Sequence, residues 1–363
     1  MPVSAAVDDL WPVHLRLPMP EGSGSPGVDV FIVAVSAGDE VACGEALVAD
    51  AEGFADAIDA LSDCAVGAPP LDRVAIFERM NEALTTVDAH SVLSAIDVTL
   101  WDLAARGLGI PLHRLLGGPY YRLLDCYCVA RAASDHAKTL QRARDLLSAG
   151  YSAISIELSG VVADDCDLIA LARKTLGGNA RLIFDAKERY DSLDAALEVG
   201  AAVDRAEAFW FARPMPEGRW ADYARLREPL ATPLAAGSRI PDSRTADAAL
   251  RARAVDILML DLRLCGGVTG AMRIAEVARL HDARVSFVPL PSGLTTAAAA
   301  HCALCTPASV LFPSTAGIPG VWKEMLERPL SFAGGFLHPS DLPGLGVDLA
   351  DEFVTAYSVE DDA

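Results

Sequence analysis

SAISIELSGVVADDCDLIALARKTLGGNARLIFDAK, Ser152 to Lys187, carries the pattern that decides the fold. A short β-rich run, SAISIEL, passes into an alanine- and leucine-rich helical run and then into a second β-rich run, RLIFDAK. That is one parallel βα unit. Working outward, the rhythm recurs in LLDCYCVA, AFWFAR, TPLAAGS, DILMLDLR, RVSFVPL and SVLFP, from about Leu123 onward. Eight strands over roughly two hundred residues predict an α/β protein built as a (β/α)8 TIM barrel. A doubly wound sheet is the competing fold, but no strand here leads into a GxGxxG turn. Ahead of the barrel, VHLRLP and VDVFIVAVSAG read as strands and two helical segments follow, the second being SVLSAIDVTLWDLAARGLG, so a separate α+β domain is expected. The predicted division is 1–120 for that domain, 121–328 for the barrel and 329–363 for a tail. The tail's GGFLHPSDLPGLGVDL is too rich in Gly and Pro for a barrel helix and is expected to return to the first domain.

Strand parity selects the residues that face the barrel axis, because successive side chains alternate and the helix-facing set is bulky and apolar. In SAISIEL that set is Ile154, Ile156 and Leu158, which leaves Ala153, Ser155 and Glu157 inward, Glu157 nearest the C-terminal mouth where barrel enzymes keep their chemistry. In RLIFDAK, Ile183, Asp185 and Lys187 face the axis or its rim. DILMLDLR sends Ile257, Met259, Asp261 and Arg263 inward, and TPLAAGS sends Leu234, Ala236 and Ser238. In AFWFAR, Trp210 and Ala212 share the inward phase; Arg213 falls one step out of it, at the strand's last residue, where a loop can still turn it to the mouth. Three acids (Glu157, Asp185, Asp261) thus converge with up to three bases. Burying so many charges costs several kcal/mol per ion unless they pair, and paired they form either a site or a structural network.

Composition narrows the function. Of 363 residues 52% are hydrophobic, enough for a large core, and the net charge of −20 repels nucleic-acid phosphates and anionic membrane surfaces, so neither is an expected partner. The start, MPVSAAVDDLWP, lacks a basic segment followed by an apolar one, and a cytoplasmic location is expected. Eight cysteines lie scattered without disulfide-framework spacing. HCALC, with Cys302 and Cys305, has the CxxC form but no second pair; in an alanine-rich helical run it reads as core, and Cys126 and Cys128 read as strand packing. The Gly-, Ser- and Pro-rich Pro20–Gly27 segment joins two of the N-terminal strands and reads as a mobile loop rather than a domain boundary, a candidate lid.

SVLSAIDVTLWDLAARGLGIPLHRLLGG, Ser91 to Gly118, resembles the signature helix and turn of the enolase superfamily, mandelate racemase and muconate lactonizing enzyme type. ACGEALV is similar to that family's capping-domain turn, DLRLCGGVTGAMRIAEVARLH to its sixth βα unit, and the Gly/Pro-rich tail to the segment that returns to the capping domain. The resemblance implies a modified (β/α)8 barrel beneath a capping domain, often assembled as a homo-oligomer. It also implies proton abstraction next to a carboxylate, with Mg²⁺ held by carboxylates ending three successive strands. Here only Asp185 stands at such a position, as the sole retained ligand. Ala212 and Ser238 occupy the other two. The family's Lys-x-Lys is Ser155-Ile156-Glu157, its strand-seven histidine is replaced around Val288, and Asp261 matches the aspartate that would partner that histidine. Lys187 stands where the family usually has asparagine. One oxygen ligand is a poor site for Mg²⁺, so no cofactor is expected. Arg213 turned toward the old metal position would oppose a divalent ion by about 6 to 7 kcal/mol at about 5 Å and an effective dielectric near 20.

Three functions follow. The first is a metal-free isomerase or lyase (racemisation, epimerisation, cycloisomerisation or dehydration) acting on a small carboxylate, with Glu157, Lys187 and Asp261 in proton transfer and Ser155, Arg213, Ser238 and Arg263 binding substrate. The second is a pseudoenzyme that binds a small acid or serves as a scaffold. The third is a Mg²⁺ enzyme with displaced ligands such as Glu188 or Glu217. Tyr190 reads as either a proton donor or a half-buried loop tyrosine, His14 and Trp11 lie in the capping domain, whose loops shape specificity in the family, with Trp11 read as packing, and His281 reads as a solvated helix end.

Overall fold

The computed structural model describes residues 5–18, 27–133, 135–288, 292–315 and 320–359. Most of the Pro20–Gly27 loop lies outside the described residues. The N-terminal domain opens with an antiparallel sheet, β1 (Asp9–Leu17), β2 (Val28–Ala37) and β3 (Glu40–Ala46), in that order. Then come α1 (Ala51–Ala65), α2 (Arg73–Glu82), α3 (Val87–Gly107) and the single turn α4 (Leu112–Leu115). ACGEALV is therefore largely the strand β3 rather than a turn. Its glycine is forced by packing: a Cβ on Gly44 would lie 2.2 Å from the Ala95 carbonyl oxygen, so only glycine lets α3 lie on the sheet. Both long helices start on side-chain caps, Asp50 accepting from Gly53 N and Thr86 from Ala89 N.

The barrel runs β4 (Leu124–Ala130), α5 (His136–Ser148), β5 (Ala153–Glu157), α6 (Val162–Leu176), β6 (Arg181–Asp185), α7 (Leu193–Arg205), β7 (Trp210–Ala212), α8 (Trp220–Arg227), β8 (Leu234–Ala236), α9 (Ser243–Arg251), β9 (Ile257–Leu260), α10 (Gly267–Leu280), β10 (Arg284–Phe287), α11 (Gly293–Cys305) and β11 (Phe312–Pro313). Strands β4 to β10 pair in parallel in chain order. β11 pairs β4, and Ser309 just before it bridges Val285 of β10, which joins the ends of the ring. The tail first forms a hairpin, β12 (Ser331–Ala333) and β13 (Phe336–His338), that adds to β4 antiparallel. It then crosses to the N-terminal domain: Leu345 N donates to Asp102 Oδ1 at 2.7 Å and, after α12 (Asp351–Tyr357), Val359 N donates to the His14 carbonyl at 2.9 Å. No helix among the described residues is long and apolar enough to cross a membrane.

Two apolar layers separate inside from outside. Ile154, Ile156, Leu182 and Phe184 join the core between strands and helices, whereas Ala153, Ile183, Trp210, Ala212, Ile257 and Met259 fill the barrel axis, as parity predicts. β8 departs from the expectation. Ala235 faces the axis while Leu234 and Ala236 face the helices. Counting back from Ser238 fails because Gly237 sits at φ 111°, a left-handed step that breaks the alternation between Ser238 and the strand.

Candidate functional site

At the C-terminal mouth, Glu157, Asp185, Ala212 and Ala235 lie in register on four adjacent strands. Arg213, the next residue after Ala212, has a backbone φ of 45° and is fixed by two hydrogen bonds, its N to the Ala235 carbonyl at 2.8 Å and its carbonyl from Glu188 N at 2.7 Å. This left-handed turn swings the side chain from the helix side to the mouth. The guanidinium then grips Asp185 with two atoms, Nε at 3.2 Å from Oδ1 and Nη2 on Oδ2. Burial works against the Arg213 charge, but the Asp185 carboxylate more than offsets it and raises the guanidinium pKa above its ordinary value. Nη1 is not engaged by any described residue.

Lys187 also has positive φ, 52°, and its N donates to Asp185 Oδ1 at 3.0 Å. That turn carries Nζ to 2.6 Å from Glu157 Oε1. Glu157 is largely buried, while 39% of the Lys187 side chain is exposed, so the pair stands at the solvent edge of the mouth. The loop after β5 is braced from behind: Asp165 of α6 accepts from Ser159 N, Ser159 Oγ, Gly160 N and Tyr190 OH. Tyr190 is thus not a mouth-facing proton donor; it is 1% exposed, and burial together with Asp165 raises its phenol pKa.

Asp261 and Arg263 form a different unit. Asp261 Oδ1 accepts from Arg263 N and Nε and Oδ2 accepts from Nη2 at 2.8 Å, while Arg263 Nη1 reaches Glu45 of β3 at 3.0 Å. Glu45 Oε2 accepts from Thr295 Oγ1 on α11. All three charges are at most 7% exposed. Arg263 is therefore spent on tying the N-terminal domain to the barrel, and the expectation that it binds substrate and that Asp261 moves protons gives way to a structural tie. Glu45 was not singled out from the sequence; the pairing spans 218 positions and carries no local signal.

Ser238 is also committed. Its hydroxyl and N, with Gly237 N, donate to Glu217 Oε1, and Arg239 N donates to Glu217 Oε2. The expected substrate-binding hydroxyl holds a loop carboxylate instead. Glu188 accepts from Glu217 N and faces Arg239. The donor set does not fit a divalent ion: Asp185 is claimed by Arg213, Ala212 has no donor, and Glu217 is saturated by amides. No group of three or more His, Cys, Asp or Glu among the described residues could hold a metal ion. Displaced ligands at Glu188 and Glu217 thus find no geometric support.

Remaining candidates are placed as follows. Ser155 is buried at 3% exposure on the inner face of β5, below Glu157. His14 bonds Asp29 at 2.9 Å and stacks on Phe31, Trp11 is on β1, and His281 pairs with Asp247 at 2.8 Å, more tied than a solvated helix end. Cys302 lies in the core of α11, and burial raises its thiol pKa well above the ordinary value.

A ring of parallel strands under an α+β cap, with acids at successive strand ends, is an enzyme scaffold of the enolase class. The chain belongs to the mandelate racemase/muconate lactonizing enzyme type of the enolase superfamily: residues 138–353 match the enolase C-terminal domain-like family, and residues 9–117 match the mandelate racemase / muconate lactonizing enzyme N-terminal domain. The chain is 30% identical over 289 residues, 75% of each chain, to D-galactarolactone cycloisomerase of Agrobacterium fabrum. It is 24% identical over 327 residues, 84% of this chain and 79% of the relative, to D-xylonate dehydratase of Haloferax volcanii. The crystal structure of 3,6-anhydro-D-galactonate cycloisomerase from Zobellia galactanivorans superposes with a TM-score of 0.89 at 21% identity, covering 98% of this chain and 100% of that one.

Proposed function

We propose that this protein is an isomerase or lyase that binds a small carboxylate-bearing molecule at the barrel mouth and works by proton transfer, with fixed cations in place of the divalent ion. One observation carries the reading: Arg213 sits on Asp185, the one retained ligand position, with Nε and Nη2 on its two carboxylate oxygens. Nη1 takes the substrate carboxylate. Glu157, at the position of the family's base, exchanges the proton, and Lys187 holds its carboxylate in place. Relatives named for cycloisomerisation and for dehydration of an aldonate support both the carboxylate and the reaction class.

The weak acidity of a proton beside a carboxylate calls for strong stabilisation of the developing oxyanion, and here it rests on Arg213 and Lys187. A second reading, a non-catalytic protein that binds a small acid, is favoured by the internal neutralisation of Glu157 and Asp185. The two separate by solvent-deuterium exchange: a panel of small hydroxy and oxo acids is incubated in D₂O with EDTA and followed by proton NMR. Exchange at the carbon next to a carboxyl or carbonyl group, lost in E157Q, supports the enzyme. Acids that raise the melting temperature without exchanging leave the binding protein.

A further inference from the structure

Cations also gather at the end of the barrel opposite the mouth. We propose that this N-terminal end carries a second ligand site, for a small organic phosphate with a flat ring, of nucleoside monophosphate size. The site is separate from the reaction assigned to the mouth.

A cavity of about 470 Å³ opens there. Phe209 and Asp256 on its wall directly precede β7 and β9, and Arg284 opens β10, so the cavity lies at the strand starts while Glu157 and Asp185 lie at strand ends. Asp256 organises the wall. Its Oδ1 accepts from Arg227 Nε at 2.8 Å and from Arg227 Nη2, its Oδ2 from Leu234 N at 2.9 Å, and its carbonyl from Arg284 N at 2.9 Å. The end of α8 and the starts of β8, β9 and β10 are thereby stitched together, and the carboxylate is used up.

Two other guanidiniums on this wall are uncommitted. Arg253, in the left-handed turn after α9 at φ 53°, and Arg284 are exposed, and neither side chain forms an ion pair or hydrogen bond with a described residue. Against them stands one carboxylate, Asp282, also outside any described ion pair. The wall thus carries an excess of positive charge in a chain whose net charge is −20. A phosphate dianion matches two guanidiniums in charge and in fork geometry.

The preference for a ring comes from Phe209. It lines the same cavity and is 37% exposed, whereas its neighbours Ala208 and Trp210 are at most 9% exposed. An aromatic side chain beside two uncommitted guanidiniums is a stacking platform for a flat ring that bears an anion. The volume sets the size: it falls in the lower half of the range for small-molecule pockets, which suits a mononucleotide better than a dinucleotide.

The test is isothermal titration calorimetry of the full chain with adenosine 5′-monophosphate (AMP) at low ionic strength, where exposed charges are least screened. Inorganic phosphate and adenosine are titrated alongside, and melting curves check that each variant is folded. One AMP per chain is expected, bound more tightly than phosphate or adenosine. R253M and R284M should each weaken AMP about tenfold. F209L should weaken AMP about fivefold and leave phosphate unchanged. D282N should tighten AMP about twofold, because a like charge is removed. R213M, at the mouth, should leave the AMP affinity as it is. No heat with AMP overturns the proposal. Phosphate that binds as tightly as AMP also overturns it, since the wall is then a simple anion patch. AMP binding that survives in both R253M and R284M, or that R213M abolishes, places the ligand elsewhere and overturns the site.

Discussion

Arg263 of the barrel and Glu45 of the N-terminal sheet meet at 3.0 Å, and both are at most 7% exposed. With Asp261 on its other side, Arg263 balances two carboxylates that have left water, so the charge balance at this point of the domain contact depends on a single guanidinium.

Removing that guanidinium should therefore cost more than removing either acid. R263M leaves Glu45 and Asp261 buried without a counter-charge and should destabilise by about 3–5 kcal/mol. E45Q keeps the shape, leaves the Asp261 pair and retains an acceptor for Thr295, so about 1–2 kcal/mol is expected. Urea unfolding of the two variants checks the order. A loss in E45Q larger than that in R263M would mean that the guanidinium's charge balance is not what holds the tie.

Restoring a divalent site requires position 212. The double variant R213E/S238E adds carboxylates but leaves Ala212 without a donor, so its melting temperature should not respond to millimolar Mg²⁺. A212E/R213E/S238E places carboxylates on β7 and after β8 beside a freed Asp185, and should melt higher in Mg²⁺ than in EDTA. Differential scanning calorimetry distinguishes them.

A buried histidine pair predicts a stability loss in mild acid. His301 Nδ1 faces the backbone N of His113 at 3.1 Å and the His113 Nδ1 at 3.1 Å, and its Nε2 faces the Leu345 carbonyl at 3.1 Å. Burial pushes the His301 pKa down from 6.5 to about 4. The folded state thus favours neutral imidazole; this stability is present above pH 6.5 and is lost as pH falls toward 4. Linkage gives about 2 kcal/mol between pH 7 and pH 5. Asp97 titrates in the opposite sense, since burial raises its pKa to about 7 and stability falls as pH rises toward that value. The difference between wild type and H301Q isolates the histidine: urea midpoints of the variant should drop less from pH 7 to pH 5. Equal drops would place the proton elsewhere.

What the sequence disclosed follows from where regular alternation held. β5, β6, β7 and β9 alternate without a break, so the inward phase of Ala153, Ile183, Trp210, Ala212, Ile257 and Met259 is legible in the sequence. The β8 phase failed at Gly237, and β3 went unread because Gly44 answers to the approach of Ala95, a tertiary demand. The directions of Arg213 and Lys187 depend on left-handed backbone at non-glycine residues, which no local pattern announces. Glu45 gives no sign in the sequence, and the bonds of Ser238 are not legible there either, for a related reason: their partners, Arg263 and Glu217, arrive from other elements.

The central claim is that cationic side chains, not a bound divalent ion, neutralise Asp185. Metal analysis of the purified protein together with melting curves in EDTA and in millimolar Mg²⁺ tests it most directly. Substoichiometric metal and coincident curves are predicted. One Mg²⁺ per chain with a clear rise in melting temperature, lost in D185N, would contradict it.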